Sequence, residues 1–170
     1  ILTSNTVGSG PALSFFDGLT LEQGGTVLLG QGNTEAVLRV DPLTHDRTTV
    51  SQSGVAGTGP AIDDLQCLAL GSEGELFTLD RGAAEALLAI DPANGDRTLI
   101  SNSSLGTGPN LVNPLACAYD PFGPRVLVSN LLRNAVLEIA LPIRAADRIE
   151  EGAVRAIHRW IGADPDDPRT

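Results

Sequence analysis

The chain has 170 residues, with 11 Lys+Arg against 21 Asp+Glu and a net charge of −10. That length supports one sizeable core. The acidic balance argues against nucleic-acid binding, and no apolar run is long enough for a membrane-spanning helix. Every cation is arginine, and methionine is absent. Two cysteines are too few for a disulfide framework or a structural zinc site.

In chain order, the first segment to note is ILTSNTVGSGP at 1–11, because it returns as TLISNSSLGTGP at 98–109. A longer repeat follows. AVLRVDPLTHDRTTVSQSGVAGTGP (36–60) matches ALLAIDPANGDRTLISNSSLGTGP (86–109). Asp41-Pro42 and Asp91-Pro92 stand 50 positions apart, and Gly10-Pro11 and Gly59-Pro60 stand 49 apart. RVLVSNLLRNAVLEIAL (125–141) repeats the middle of the unit once more. Self-similarity at such a period marks a repeat architecture.

Within the unit at 65–102, four short apolar or β-branched runs are separated by turn signals. They are Leu65–Leu70, Glu75–Leu79, Ala86–Ile90 and Arg97–Ser101. Pro92 presets φ for the turn after the third run, and Gly95 supplies a positive φ. Asp41, Pro42 and Asp91 play the same turn roles, the aspartates bonding backbone two residues on. Four strands in about 50 residues form a meander, and its repetition predicts an all-β fold of β-propeller blades. A β-solenoid fits the period and the turns less well. The blades are predicted at about 15–52, 65–102 and 115–141.

Ile1, Leu2, Thr3 and Ser4 resemble the fourth strand of a unit, which the third blade lacks. Propellers have four to eight blades. The chain is therefore expected to be part of a larger ring, completed by further sequence or by a second copy. In the homodimer, residues 1–4 of each copy would edge blade three of the other. Residues 143–170 leave the repeat. Ile149, Ala153, Ile157 and Trp160 are spaced for an amphipathic helix, followed by a polar tail.

The unit pattern, with VDPxTGDRTxxS and GTGP, resembles the six-bladed calcium-dependent phosphotriesterase-like propellers. These include gluconolactonase and senescence-marker proteins, strictosidine synthase-like proteins and NHL-repeat proteins. The resemblance covers residues 1 to about 141. It implies metal ligands drawn from the second-strand ends that face the central tunnel. Gln31, Asp80 and Asn130 occupy that position, and all three are oxygen donors of the kind calcium takes. Asp63 and Asp64 could add carboxylates at the tunnel mouth. Asp17 and Glu22 do not clearly match the early glutamate of the pattern.

Other candidates are bland. His45 reads as an exposed turn residue, and His158 lies far from it. No G-x-S-x-G elbow exists. The Gly-Thr-Gly-Pro segments complete no nucleotide-binding loop. Asp46-Arg47 and Asp96-Arg97 read as exposed pairs of little energetic weight. Cys67 and Cys117 read as buried unreactive thiols; inner strands of neighbouring blades are taken to splay apart, so no bridge is expected. Asn102-Ser103-Ser104 is a formal glycosylation sequon. The expectation is a non-catalytic binding or structural propeller, periplasmic or secreted; the alternative is a calcium-dependent lactonase or esterase.

Overall fold

The computed structural model describes residues 1–141. The predicted helix with His158 and Trp160, and the tail at 143–170, lie outside the described residues. The described chain is all-β, apart from one 3-10 turn at Leu131–Arg133. Its eleven strands form three antiparallel sheets with sequential neighbours throughout. The first sheet is β1 (Phe16–Leu21), β2 (Val27–Gln31), β3 (Ala36–Val40) and β4 (Arg47–Gln52). The second is β5 (Ala69–Leu70), β6 (Leu76–Asp80), β7 (Ala86–Ile90) and β8 (Arg97–Ser101). The third is β9 (Pro114–Asp120), β10 (Arg125–Asn130) and β11 (Ala135–Ala140).

The first strands β1, β5 and β9 lie beside one another in sequence and form the inner edges of the blades. β5 is shorter than the apolar run Leu65–Leu70 suggested. Its leading residues meet β6 irregularly, with Leu65 forming an isolated bridge to Asp80.

Burial follows blade stacking. β2 and β6 are buried along their whole length, because each sheet carries apolar residues on both faces. Leu28, Val37 and Val50 of blade one pack with Leu65, Leu68, Leu76, Leu88 and Ile90 of blade two. Blade two turns its other face to blade three, where Phe77 stacks on Tyr119 with ring centroids 6.1 Å apart. β10 instead alternates, with Val126 and Val128 buried between half-exposed neighbours. That is the pattern of a sheet packed on one side only.

The cysteine expectation is overturned. Cys67 and Cys117 form a disulfide, with Cα atoms 5.9 Å apart. The first strands of adjacent blades lie close rather than splay, and Cys117 sits over Cys67 as Leu68 sits over Gly18 one blade earlier, within bridging distance.

The Asp-Arg pairs are also not exposed ornaments. Arg47 and Arg97 are buried, at 5% and 6% exposure. Arg97 Nε donates to Pro60 O at 2.7 Å, and its Nη1 donates to Ser51 Oγ at 2.8 Å and Ala56 O at 3.0 Å. Arg47 repeats this with Pro11 O, Thr3 Oγ1, Ser4 O and Val7 O, all within 2.9 Å. Each arginine therefore ties the preceding fourth-strand segment and its linker to the start of its own fourth strand. Asp46 and Asp96 accept from the backbone N–H and hydroxyl of Ser9 and of Thr58. Those bonds hold both carboxyls below the usual aspartate range. The linkers bend through positive φ at Gly57 (73°) and Gly59 (109°), where any side chain would strike the backbone at 95–97.

Candidate functional site

Gln31, Asp80 and Asn130 end β2, β6 and β10 at the same place in successive blades. All three are buried, at 1%, 0% and 1% exposure. Each is spent on the linker that leads into its own blade. Gln31 Oε1 accepts from Ser14 N at 2.6 Å, and its amide donates to Thr34 Oγ1 at 3.1 Å. Asn130 Oδ1 accepts from Val112 N at 2.8 Å, and its amide donates to Asn110 O at 2.9 Å. Asp80 Oδ1 accepts three backbone N–H groups, from Asp63 (3.1 Å), Asp64 (2.9 Å) and Gly82 (3.1 Å). The shared role explains the shared residue type. A linker leaving the outer edge and diving to the inner edge exposes unpaired N–H groups, and a buried oxygen satisfies them.

One atom of the trio remains. Asp80 Oδ2 is buried without a hydrogen-bond partner. The carboxylates proposed to join it do not converge. Asp64 binds Arg81 Nε at 2.8 Å through Oδ2 and Gln66 Nε2 at 2.6 Å through Oδ1, while Asp63 is exposed. Among the described residues, no group of three or more His, Cys, Asp or Glu could hold a metal ion. Calcium takes six to eight oxygens, and of the buried trio Asp80 Oδ2 is the atom left without a partner.

The turn residues do local work. Asp41 Oδ1 accepts from Leu43 N (2.7 Å) and Thr44 N (3.2 Å), and Asp91 Oδ1 from Ala93 N (2.9 Å). Pro42 and Pro92 follow within the same turns, and Gly95 takes φ 80°. His45 takes the left-handed position of Gly95, at φ 67°. It is half-buried rather than exposed, with Nδ1 shielded and unpartnered, because Thr3 Oγ1 docks on its carbonyl at 3.0 Å.

A concave feature lies elsewhere. An open, mostly apolar groove of about 700 Å³ lies on the face of blade one turned away from blade two. Leu2, Leu13, Phe16, Leu19, Leu29 and Val40 are among its lining residues. It holds no convergent polar group suited to catalysis. The arginine clamps and this groove escaped sequence reading. The clamp's signal was present in the recurrence of Asp-Arg at one register, which pointed to a shared structural duty.

No protein-family model matches the chain, and neither does any curated protein. Solved structures do. The selenomethionine-substituted virginiamycin B lyase from Staphylococcus aureus aligns at 18% identity and TM-score 0.53, over 76% of this chain and 42% of that one. A protein of unknown function from Bacteroides thetaiotaomicron aligns at 12% identity and TM-score 0.57, over 70% and 33%. A chain of a nidogen/laminin complex aligns at 15% identity and TM-score 0.51, over 74% and 48%. This chain spans less than half of each. The likeness is one of fold, that of β-propellers.

Proposed function

We propose that the chain is a non-catalytic binding or structural module, a run of propeller blades that forms part of a larger ring. The observation carrying this is the fate of Gln31, Asp80 and Asn130. Side chains that could line a reactive tunnel are consumed in holding linkers to their blades. The fold itself is neutral on the point, since its structural neighbours include a lyase and a member of a nidogen/laminin complex.

A metal-dependent lactonase or esterase is the second reading, favoured by the unpartnered Oδ2 of Asp80 alone. Calcium titration by calorimetry, with a panel of lactones and aryl esters, separates the two. The module reading expects no stoichiometric calcium binding and no turnover. Calcium binding with turnover, both lost in Asp80→Asn, would overturn it.

The Cys67–Cys117 bridge supports export to an oxidising compartment, periplasmic or extracellular. Fractionation of the producing cell tests this; a reduced, cytosolic pool would contradict it.

A further inference from the structure

The registers make the blades comparable residue by residue. Leu65 meets Asp80 as Phe16 meets Gln31, so Leu65 and Phe16 are equivalent. Leu70 pairs with Leu76 as Leu21 pairs with Val27, which makes Leu68 the counterpart of Leu19. In blade two these residues are covered, at 0% for Leu65 and 7% for Leu68. They are covered by blade one, whose Gly18 and Gly30 leave room for them: a side-chain carbon at Gly30 would run into Leu65, and one at Gly18 into Leu68. In blade one the same positions are bare, at 55% for Phe16 and 64% for Leu19.

The receiving surface also exists on the chain. Gly18 pairs with Gly30 across β1 and β2, as Ala116 pairs with Ser129 across β9 and β10. Blade three thus carries small residues where blade one has its glycines. Ala116 is exposed, and so is Val136 on the other side of Ser129, at 71%. The two surfaces do not meet within one chain, since both are open.

The edge strand matches as well. Among the described residues, β11 hydrogen-bonds only to β10. Thr3, meanwhile, makes the bonds that Ser51 of β4 makes one blade later: each hydroxyl accepts from a clamp arginine and donates to a turn carbonyl, His45 O or Gly95 O. Ser51 pairs with Val37, whose counterpart in blade three is Val136.

We propose that a second copy of this chain docks its blade three on the groove of blade one, with Phe16 and Leu19 seated over its Ala116 and Ser129. Residues 1–4 then form the fourth strand of the partner's blade three, Thr3 opposite Val136. The contact is head-to-tail, and two copies of three blades close it into a six-bladed ring. The closure removes the exposed β11 edge and the apolar groove together. This rests on the ring-module reading above.

Light scattering on the full chain at tens of micromolar (roughly) tests it. The expected mass is twice 17.6 kDa. Leu19→Glu and Ala116→Arg should each give a monomer, with strand content and the native disulfide retained. Both side chains are exposed in the single chain, so neither substitution disturbs its own core. The double variant Thr3→Cys with Val136→Cys should give a covalent dimer on a non-reducing gel. A monomeric parent chain, an open-ended polymer, or no cross-link in the double variant would overturn the proposal. The readout is mass alone, so its failure leaves the non-catalytic reading standing, and turnover of an ester would leave the dimer standing.

Discussion

Arg97 reaches back across a blade boundary to donate to Ser51 Oγ at 2.8 Å, while Ser51 donates to Gly95 O at 2.8 Å. One buried hydroxyl thus links the guanidinium to the turn that precedes it. Burial pulls the Arg97 guanidinium below its ordinary value, yet the group stays charged. Replacing it should be costly. Arg97→Ala is expected to lose about 2–4 kcal/mol, by stranding the Pro60 and Ala56 carbonyls and removing the donor to Ser51 Oγ. Arg97→Lys should recover only part of that, since an ammonium lacks the planar fork. Denaturant midpoints check both.

Asp80 should behave as a linker anchor. Asp80→Ala removes the acceptor of three N–H groups and is expected to cost about 2–3 kcal/mol. Asp80→Asn keeps an oxygen in place and should cost far less, as the amides Gln31 and Asn130 already serve at that position. Urea titrations of the pair are sufficient. Equal losses would mean that the charge, not the hydrogen bonds, matters there.

The disulfide spans 50 residues. Closing a loop of that size constrains the unfolded chain by on the order of 4 kcal/mol. Unreduced, denatured protein should show no thiol by Ellman titration, and reduced protein two. Thermal unfolding should move down on reduction, and the Cys67→Ser, Cys117→Ser double variant should reproduce the shift.

Acid should loosen the linkers. Asp46 and Asp96 are held below the usual aspartate range by the N–H groups and hydroxyls of Ser9 and Thr58. A depressed carboxyl contributes stability above its unfolded value, near ~4, and loses it as pH falls through the lower folded value. Stability should therefore hold from neutral pH toward the aspartate range and decline below it. In Asp46→Asn and Asp96→Asn the acid limb of a melting-temperature profile should be shallower.

His45 pays a conformational penalty that Gly95 does not. His45→Gly is expected to be neutral or stabilising by about 1 kcal/mol. Gly95→Ala should destabilise, because its new carbon would strike the Val50 carbonyl. Calorimetric melting of the two variants tests the contrast.

The propeller was legible because period, strand formers and turn residues agree along the chain. Asp41-Pro42 and Asp91-Pro92 mark the same turn twice, and the strands fall between such marks. The arginines were misread because an Asp next to an Arg suggests a surface pair. Only the tertiary path of the linker shows that the carboxyl and the guanidinium serve different partners. The same holds for Gln31, Asp80 and Asn130, whose alignment was visible but whose bonds to linker N–H groups were not. The cysteine bridge was missed through a geometric assumption about inner strands, and His45 because a turn position says nothing of what docks on it.

The Cys67–Cys117 bond ties blades two and three at their narrow ends, like the rivet of a fan. Angular play between those two can spread only at their outer ribs. Blades one and two meet without such a rivet, through leucines resting on Gly18 and Gly30. A shared leucine core and the Arg97 clamp hold that junction instead, so a reductant frees the second junction and leaves the first untouched.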